Sequence, residues 1–209
     1  MIDQAEIATP AGRALYKTGQ LWIKPGDRIV LLGANGTGKT RLLTLVREAI
    51  LQPEQSLAGI KATPSLVLGY SDQALSELNG KWTPFETIMK RFDVGDQRAR
   101  SLLAGAGMTL EMQTKPLSRL SGGQKARLAM LVLRLTKPNF YILDEPTNHL
   151  DIDGQEALEA ELLSDETASL IVSHDRSFVR NVGNRFWVID RKKLVEVDSP
   201  EVFFEAALG

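Results

Sequence analysis

The chain has 209 residues, no cysteine and a formal net charge of −1 at pH 7. This length suits one domain with a full hydrophobic core, and the balanced charge excludes a global basic field for nucleic acid or an anionic membrane. The lack of cysteine excludes disulfides, thiolate metal sites and a cysteine nucleophile. The longest apolar run, residues 128–133, is far shorter than the about 20 residues that a membrane span needs. The N-terminus carries no apolar signal segment, so we expect a cytoplasmic protein.

The first 27 residues predict short antiparallel strands. After them, short apolar runs are each followed by polar or glycine-rich residues and then by a helical pattern. This alternation is typical of an α/β fold with buried parallel strands. We therefore predict an α/β fold with a mainly parallel core sheet, helices and an N-terminal antiparallel part. The predicted core strands are residues 29–32, 66–68, 140–143 and 169–172, followed by a hairpin of residues 185–189 and 194–198.

A glycine-rich loop directly follows the first core strand and precedes a helix with a one-sided apolar stripe. It matches the phosphate-binding pattern G-x-x-x-x-G-K-[ST]. Glycines allow several backbone N–H groups to face phosphate oxygens at a helix N-terminus. In this interpretation Lys39 reaches the β- and γ-phosphates, and the Thr40 hydroxyl ligates Mg²⁺. The loop consists of Gly33, Ala34, Asn35, Gly36, Thr37, Gly38, Lys39 and Thr40.

Between residues 81 and 113 the pattern changes to helices without strands. Thr83 and Glu86 have the spacing of a capping box at the start of the first helix. We expect a single domain of residues 1–209, with a helical subdomain at about residues 76–120 inserted in it.

A second glycine motif opens the long helix that follows this helical region. Ser121 and Gln124 have the spacing of a capping box, with Gly122 and Gly123 between them. Such a helix start offers free N–H groups and the positive dipole end to an anion, with no side chain in the way. A plain capped helix explains the serine and the glutamine. It does not explain the glycines, each of which costs up to about 1 kcal/mol in a helix relative to alanine.

Two adjacent acids, Asp144 and Glu145, end the third core strand. Ligands of open α/β sheets collect at the carboxyl ends of strands, and adjacent residues of an extended chain point in opposite directions. We therefore assign Asp144 to the Mg²⁺ shell and Glu145 to polarising the attacking water as general base. Gln73 and His174 also follow strands, where they can touch metal or water. Taken alone, a glutamine or histidine at a strand end is more often an ordinary surface or capping residue.

The order of these motifs resembles that of an ATP-binding cassette (ABC) ATPase over nearly the whole chain. The resemblance implies a P-loop NTPase fold of ABC type, ATP and Mg²⁺ as cofactors, and hydrolysis of ATP to ADP and phosphate. The matched motifs are Walker A at residues 33–40 with the adjoining Arg41, the Q-loop glutamine Gln73, the signature at residues 120–124, Walker B ending in Asp144 and Glu145, the D-loop at residues 148–151 and the switch histidine His174.

In this family the signature motif contacts the γ-phosphate that a partner cassette holds. The resemblance therefore implies that a second cassette, in the same protein or in a homodimer with ATP, completes the active site in trans. We predict that the isolated chain binds Mg·ATP but hydrolyses it poorly.

Two stretches, residues 145–152 and 172–178, resemble the ABC-F branch, many members of which act on the ribosome. Only 33 residues separate Lys39 from Gln73, too few for the long helical arm of many first cassettes, so the chain is similar to a second cassette. The predicted function is ATP-driven cassette closure acting on the ribosome and translation. Two alternatives stay open: the motor subunit of an ABC membrane transporter, and a nucleotide-gated binding module with little turnover.

One stretch departs from the family pattern. The family usually stacks adenine on an aromatic side chain ahead of the strand that leads to Walker A, but residues 7–13 contain none. Tyr16 is the nearest aromatic residue, but it lies too far along the chain to match the family's adenine-stacking position. Pro10 or an aliphatic side chain could contact the adenine instead. We therefore expect weak adenine affinity or a relaxed choice of base.

Overall fold

The computed structural model describes residues 1–54, 57, 59–70, 80–148, 150–163 and 167–206. These residues form a sheet of eight strands and a separate small sheet of two strands. The strands are β1 Ile2–Asp3, β2 Glu6–Ala8, β3 Ala14–Thr18, β4 Gln20–Leu21, β5 Arg28–Gly33, β6 Leu68–Tyr70, β7 Phe140–Asp144, β8 Ala168–Val172, β9 Arg185–Asp190 and β10 Lys193–Val197.

The large sheet has the strand order β2-β3-β10-β9-β5-β8-β7-β6. The five strands from β9 to β6 in this order run parallel. The N-terminal strands form the antiparallel pairs β1–β4 and β2–β3. Strand β10 is antiparallel to β9 and parallel to β3, so the C-terminal hairpin attaches the N-terminal strands to the core sheet. The predicted α/β fold, with its mainly parallel core and N-terminal antiparallel part, is confirmed.

The predicted second core strand, residues 66–68, was placed wrongly, because the strand in the structure is Leu68–Tyr70. The N–H of Val67 donates to the side chain of Asn139 at 2.8 Å instead of to a neighbouring strand. The first residue of β6 pairs with Phe140, the first residue of β7. The position of the partner strand therefore sets where β6 begins, and local hydrophobicity does not reveal it.

The described helices cover both faces of the sheet. They are α1 Lys39–Leu51, α2 Pro84–Arg91, α3 Asp96–Gly105, α4 Leu110–Thr114, α5 Gly122–Leu135, α6 Ile152–Leu162, α7 Arg176–Val182 and α8 Glu201–Ala206, with a short 3₁₀ helix at Leu117–Arg119. The apolar stripe of α1 packs on one face of the core strands. The end of α5 packs on the other face together with α6 and α7. This arrangement fixes the start of α1 beside the carboxyl end of the sheet.

The helices α2 to α5 share a hydrophobic cluster of their own, which includes Ile88, Leu103 and Leu128. The predicted capping box is present, because Thr83 Oγ1 accepts from the N–H of Glu86 at 3.1 Å and Glu86 Oε2 accepts from the N–H of Thr83 at 2.8 Å. Further along α5, Leu133 belongs to the cluster on the sheet. Helix α5 therefore joins the helical region to the core.

Candidate active site

The glycine-rich loop after β5 closes on itself through its lysine. Lys39 is buried, and its Nζ donates to the carbonyl oxygen of Gly33 at 2.7 Å and to that of Ala34 at 3.2 Å. Burial lowers the pKa of Lys39, and the nearby carboxylates of Glu145 and Asp144 partly oppose this shift. Its hydrogen-bond acceptors are neutral carbonyls. A phosphate group would therefore be a stronger, charge-assisted partner for the same ammonium group.

The backbone of the loop needs glycine at two positions. Gly36 and Gly38 lie in the left-handed region, with φ of 76° and 103°. A Cβ at Gly38 would lie 2.7 Å from the side chain of Leu15 and 3.2 Å from the ring of Tyr16. Strand β3 thus packs directly against the loop where the chain turns into α1. The tight turn leaves the first N–H groups of α1 without helical partners, as an anion site requires.

The first turn of α1 meets the end of β7 through Thr40, whose hydroxyl donates to Asp144 Oδ2 at 2.8 Å. Adjacent ligands of an octahedral Mg²⁺ at about 2.1 Å lie about 3 Å apart. These two oxygens therefore suit adjacent positions around such an ion. Among the described residues, no group of three or more His, Cys, Asp and Glu side chains could hold a metal. Mg²⁺ at nucleotide sites commonly takes one or two protein ligands and its other ligands from phosphate and water.

The chain leaves the strand at Glu145, which has a φ of 49°. The chain is therefore not extended through both acids, and the prediction of an extended chain is wrong at this residue. The N–H of Glu145 donates to the carbonyl oxygen of Val172 at 2.8 Å, which anchors the turn to the end of β8. The two carboxylates have different partners, Thr40 for Asp144 and His174 for Glu145. The positive φ of Glu145, and not strand alternation, directs them apart. Such a conformation is held only where the surrounding contacts support it.

The carboxylate of Glu145 lies against His174. The backbone N–H of His174 donates to Glu145 Oε2 at 3.2 Å, and the ring Nε2 lies 3.3 Å from Oε1. The ring contact does not complete a hydrogen bond, so among the described residues the buried Oε1 has no hydrogen-bond partner. A buried acceptor without a partner is costly unless something donates to it. The carboxylate of Glu145 is therefore the candidate general base of the site.

Five of the predicted site residues meet at one edge of the sheet, whereas Arg41 has a different contact. Arg41 Nε donates to the carbonyl oxygen of Ala8 at 3.0 Å, so this side chain ties α1 to β2. Gln73 lies outside the described residues, and its proposed role stays a prediction. The predicted residues that meet at the carboxyl end of the sheet are Lys39, Thr40, Asp144, Glu145 and His174.

The second glycine motif opens α5 with the predicted capping box. Ser121 Oγ accepts from the N–H of Gln124 at 3.2 Å, and Gln124 Oε1 accepts from the N–H of Ser121 at 3.0 Å. A Cβ at Gly122 would meet no atom within 4 Å, and Gly122 is not in the left-handed region. Within the described part of the chain, neither packing nor backbone geometry requires a glycine at this position.

Tyr16 packs against the phosphate loop and is not exposed for stacking on a base. Its side chain is buried, and its hydroxyl donates to the carbonyl oxygen of Gly38 at 3.4 Å. Burial raises the pKa of this phenol above its ordinary value. The preceding turn is closed by the N–H of Thr9, which donates to the carbonyl oxygen of Arg13 at 2.9 Å. These contacts agree with the expectation that Tyr16 does not replace the adenine-stacking aromatic residue.

Sequence reasoning missed an ion pair between Arg127 of α5 and Asp151, the N-cap of α6. The two residues are 24 positions apart. An aspartate ahead of a helical pattern signals a helix cap, but no spacing rule connects it to an arginine on another helix. Only the packing of α5 beside α6 brings the two side chains together.

Residues 16–148 match the sequence model of the family described as ABC transporter. The chain belongs to this family. It is 32% identical over 191 residues to the ribosome protection protein VmlR of Bacillus subtilis, an alignment that covers 90% of this chain and 34% of VmlR. It is 36% identical over 175 residues to ATP-binding cassette sub-family F member 3 of Mus musculus, covering 82% of this chain and 24% of that protein. The predicted resemblance to the ABC-F branch is thus confirmed.

The fold is similar to a solved dimeric structure of an ATP-binding cassette in a post-hydrolysis state bound to ADP and Pi. That similarity has a TM-score of 0.63 at 20% identity and covers 88% of this chain and 90% of the solved chain. The chain is therefore an ATP-binding cassette of the ABC ATPase type, and its family membership indicates ATP hydrolysis. Within the described parts of the chain, no helix is long and apolar enough to cross a membrane. The chain spans about a quarter to a third of the length of the curated relatives it matches.

Proposed function

We propose that this chain is one cassette of an ABC-F-type ATPase that hydrolyses Mg·ATP only when paired head to tail with a second cassette. The observation that carries this proposal is the open start of α5. There Gly122 has space for a side chain that the sequence does not provide. The capping box orders this helix start, and the free N–H groups of the first turn remain available to an anion from outside the chain.

The chain's own residues account for one half of such a site. Lys39 exchanges its loop carbonyls for phosphate oxygens and places a positive charge beside them. Thr40 and Asp144 fit as ligands of Mg²⁺, which when bound neutralises charge on the β- and γ-phosphates. The carboxylate of Glu145 would accept a hydrogen bond from the attacking water and orient it toward the γ-phosphorus. Water then forms a bond to this phosphorus while the bond to ADP breaks. The backbone N–H of His174 holds the other carboxylate oxygen of Glu145 in place.

The second half of the site comes from the signature helix of the partner. Negative charge on the transferred phosphoryl group requires donors that are already oriented toward it, and donors of this kind contribute a large part of catalysis. In this chain the corresponding donors are at Ser121, Gly122 and Gly123, at the start of α5, and they would serve the nucleotide that the partner binds. This helix start packs with the helical region, whereas the phosphate loop and α1 pack with the core sheet. The dimeric cassette structure with the same fold supports pairing of this kind.

For the biological target we propose the ribosome. The support is the sequence similarity to VmlR, which is named a ribosome protection protein, and to a sub-family F cassette. In this proposal, ATP-driven closure of two cassettes changes how the whole protein binds the ribosome, and hydrolysis releases it. The protein then works in the cytoplasm.

The test is the Glu145→Gln variant, with Glu156→Gln on the exposed side of α6 as a matched control. E145Q keeps the shape of the side chain but removes the general base, so we expect it to accumulate as an ATP-bound pair of cassettes on size exclusion. E156Q should behave like the wild-type protein. The trapped E145Q protein should co-sediment with ribosomes in an ATP-dependent manner.

Other outcomes favour other functions. Copurification of E145Q with membrane proteins, without ribosome binding, would support a transporter motor. Nucleotide-dependent association without turnover by the wild-type protein would support a gated binding module. A verified monomer with fast turnover independent of protein concentration would overturn the pairing.

A further inference from the structure

The guanidinium group of Arg127, on α5, contacts two other parts of the chain. Its Nε donates to Asp151 Oδ1 at 3.3 Å, and a second nitrogen donates to Asp151 Oδ2, giving a two-pronged ion pair. Its Nη1 donates to the carbonyl oxygen of Gly107 at 3.4 Å. Arg127 itself lies on α5, so one side chain joins the helix of the second glycine motif, the start of α6 and the turn that follows α3.

Both partners of Arg127 are constrained by their own surroundings. Asp151 Oδ1 also accepts from the N–H of Gly154 at 3.1 Å and so caps α6. Gly107 has a φ of 72°, and a Cβ there would lie 2.6 Å from Arg127 Nη1. The planar fork of arginine matches a carboxylate in a way that the point charge of lysine does not. The three-way contact is therefore specific to arginine.

A cavity of about 250 Å³ lies between the end of α3 and α6, and Arg127 contributes to its lining. Its wall includes Ala104 from α3 and Leu158 from α6. Because apolar packing is incomplete in this space, the polar contacts of Arg127 provide a defined link between the helical region and α6. Arg127 is partly buried, with 26% of its side-chain surface accessible, whereas Asp151 is exposed, with 48% accessible.

We propose that Arg127 is a positioning residue for ATP hydrolysis. Asp151 ends the segment that begins at Glu145, and the N–H of Asn148 donates to the carbonyl oxygen of Glu145 at 3.2 Å within that segment. Through Asp151, Arg127 holds the segment that carries the general base against the helix that begins at Gly122. In a pair of cassettes, Glu145 serves the chain's own nucleotide and Gly122 serves the partner's. One guanidinium group thus fixes the spacing between two active sites. This inference rests on the proposed pairing of cassettes.

The test compares Arg127→Met, which keeps the aliphatic stem, with Arg127→Lys and with Arg134→Met as the matched control. Arg134 lies seven residues further along α5, forms a surface ion pair with Glu161 at 3.4 Å and lines the same cavity. We expect R127M to lower kcat roughly tenfold or more while KM for ATP changes less than about twofold, because misplaced groups reduce turnover more than binding. R127K should recover part of the loss, and R134M should keep wild-type values.

Asp151→Asn is the second variant, because asparagine can still cap α6. Its loss of kcat should not add to that of R127M in the double variant. Wild-type kcat in R127M, a raised KM with unchanged kcat, or additive losses would each overturn the inference. If the wild-type protein shows no ATP-dependent pairing or turnover, the proposed function fails instead. Thermal unfolding of each variant separates a loss of fold from a loss of positioning.

Discussion

The hydroxyl of Thr40 donates to Asp144 across 104 positions of sequence. This contact exists because β7 and the phosphate loop end at the same edge of the sheet, with β8 between β5 and β7. It couples the first turn of α1 to the strand that carries both acids. The pair is the feature of the described structure best suited to Mg²⁺.

Replacing Thr40 by valine removes one proposed Mg²⁺ ligand while keeping the shape of the side chain. We expect the Mg²⁺ concentration for half-maximal ATP hydrolysis to rise by roughly tenfold or more, the scale seen when the partners of a metal site are lost. Metal-free ATP binding should change little. Thr44→Val is the control, because Thr44 lies four residues along α1 and its hydroxyl only contacts the carbonyl oxygen of Thr40. Equal Mg²⁺ dependence in T40V and T44V would count against the metal site.

Replacing His174 by alanine removes the ring next to Glu145 but leaves the backbone N–H that holds Oε2. General acid–base arrangements contribute about 10²–10⁴-fold to rate, and His174 is expected to contribute the lower part of that range. We therefore expect kcat to fall about 10²-fold with ATP affinity retained. Single-turnover measurements give the rate and calorimetry gives the affinity. A loss of affinity with normal single-turnover rate would show that the residue binds nucleotide instead.

Replacing Gly122 by alanine tests whether the start of α5 is needed for pairing with a second cassette and not for the stability of this chain. The added Cβ meets no atom within 4 Å, and alanine favours a helix by up to about 1 kcal/mol over glycine. The thermal unfolding temperature should stay the same or rise slightly. ATPase activity should fall, and so should the fraction of ATP-bound pairs in a G122A/E145Q double variant, because the methyl group obstructs the approach of the partner's phosphate. Unchanged activity in a stable G122A protein would contradict the role of this helix start.

The burial of Tyr16 leads to a prediction about base choice. Its ring lies against Gly38 and its hydroxyl is occupied, so it cannot provide a stacking surface. We expect ATP and GTP to bind within about tenfold of each other, less than 1.4 kcal/mol of discrimination. Competition binding measures this ratio, and Tyr16→Phe should leave it unchanged. Tight ATP binding with strong rejection of GTP would require another contact to the base.

A pH effect is expected from the sheet hairpin. Hydrogen bonds from Arg185 lower the pKa of Glu196, with burial opposing the shift. Because the folded-state pKa of Glu196 is lowered, its ionised carboxylate stabilises the fold at pH values above the ordinary pKa of 4.5. This stabilisation is lost as the pH falls through the lowered pKa of the folded state. Glu196→Gln should therefore lower stability by about 1 kcal/mol or less near neutral pH, because the pair is partly exposed. This difference from wild type should shrink below the ordinary pKa in unfolding titrations.

Glu6→Gln serves as the control for that measurement. Glu6 pairs with Lys17 at 3.5 Å with most of both side chains exposed, so its removal should have no measurable effect at any pH. A pH-independent deficit in E196Q would mean that packing, and not the charge, stabilises the hairpin.

The sequence predicted the local features that depend on nearby residues. The capping boxes at Thr83 and Ser121 are present, because each joins residues three positions apart on one helix. Three of the four predicted core strands lie where the apolar runs placed them, and the core strands pair in parallel as predicted. The start of β6 was displaced, since its pairing with Phe140 depends on a residue far along the chain.

By itself, the sequence determined the cassette family, the phosphate loop and the chemical types of the site residues, because motif spacing is a local property. The tertiary structure decided which of these groups meet. It joined Thr40 to Asp144, turned the chain at Glu145 with a positive φ, and placed the carboxylate of Glu145 beside His174. It also buried Tyr16 and placed Arg127 on Asp151. Those outcomes depend on how strands and helices pack across long sequence separations, which no local pattern encodes.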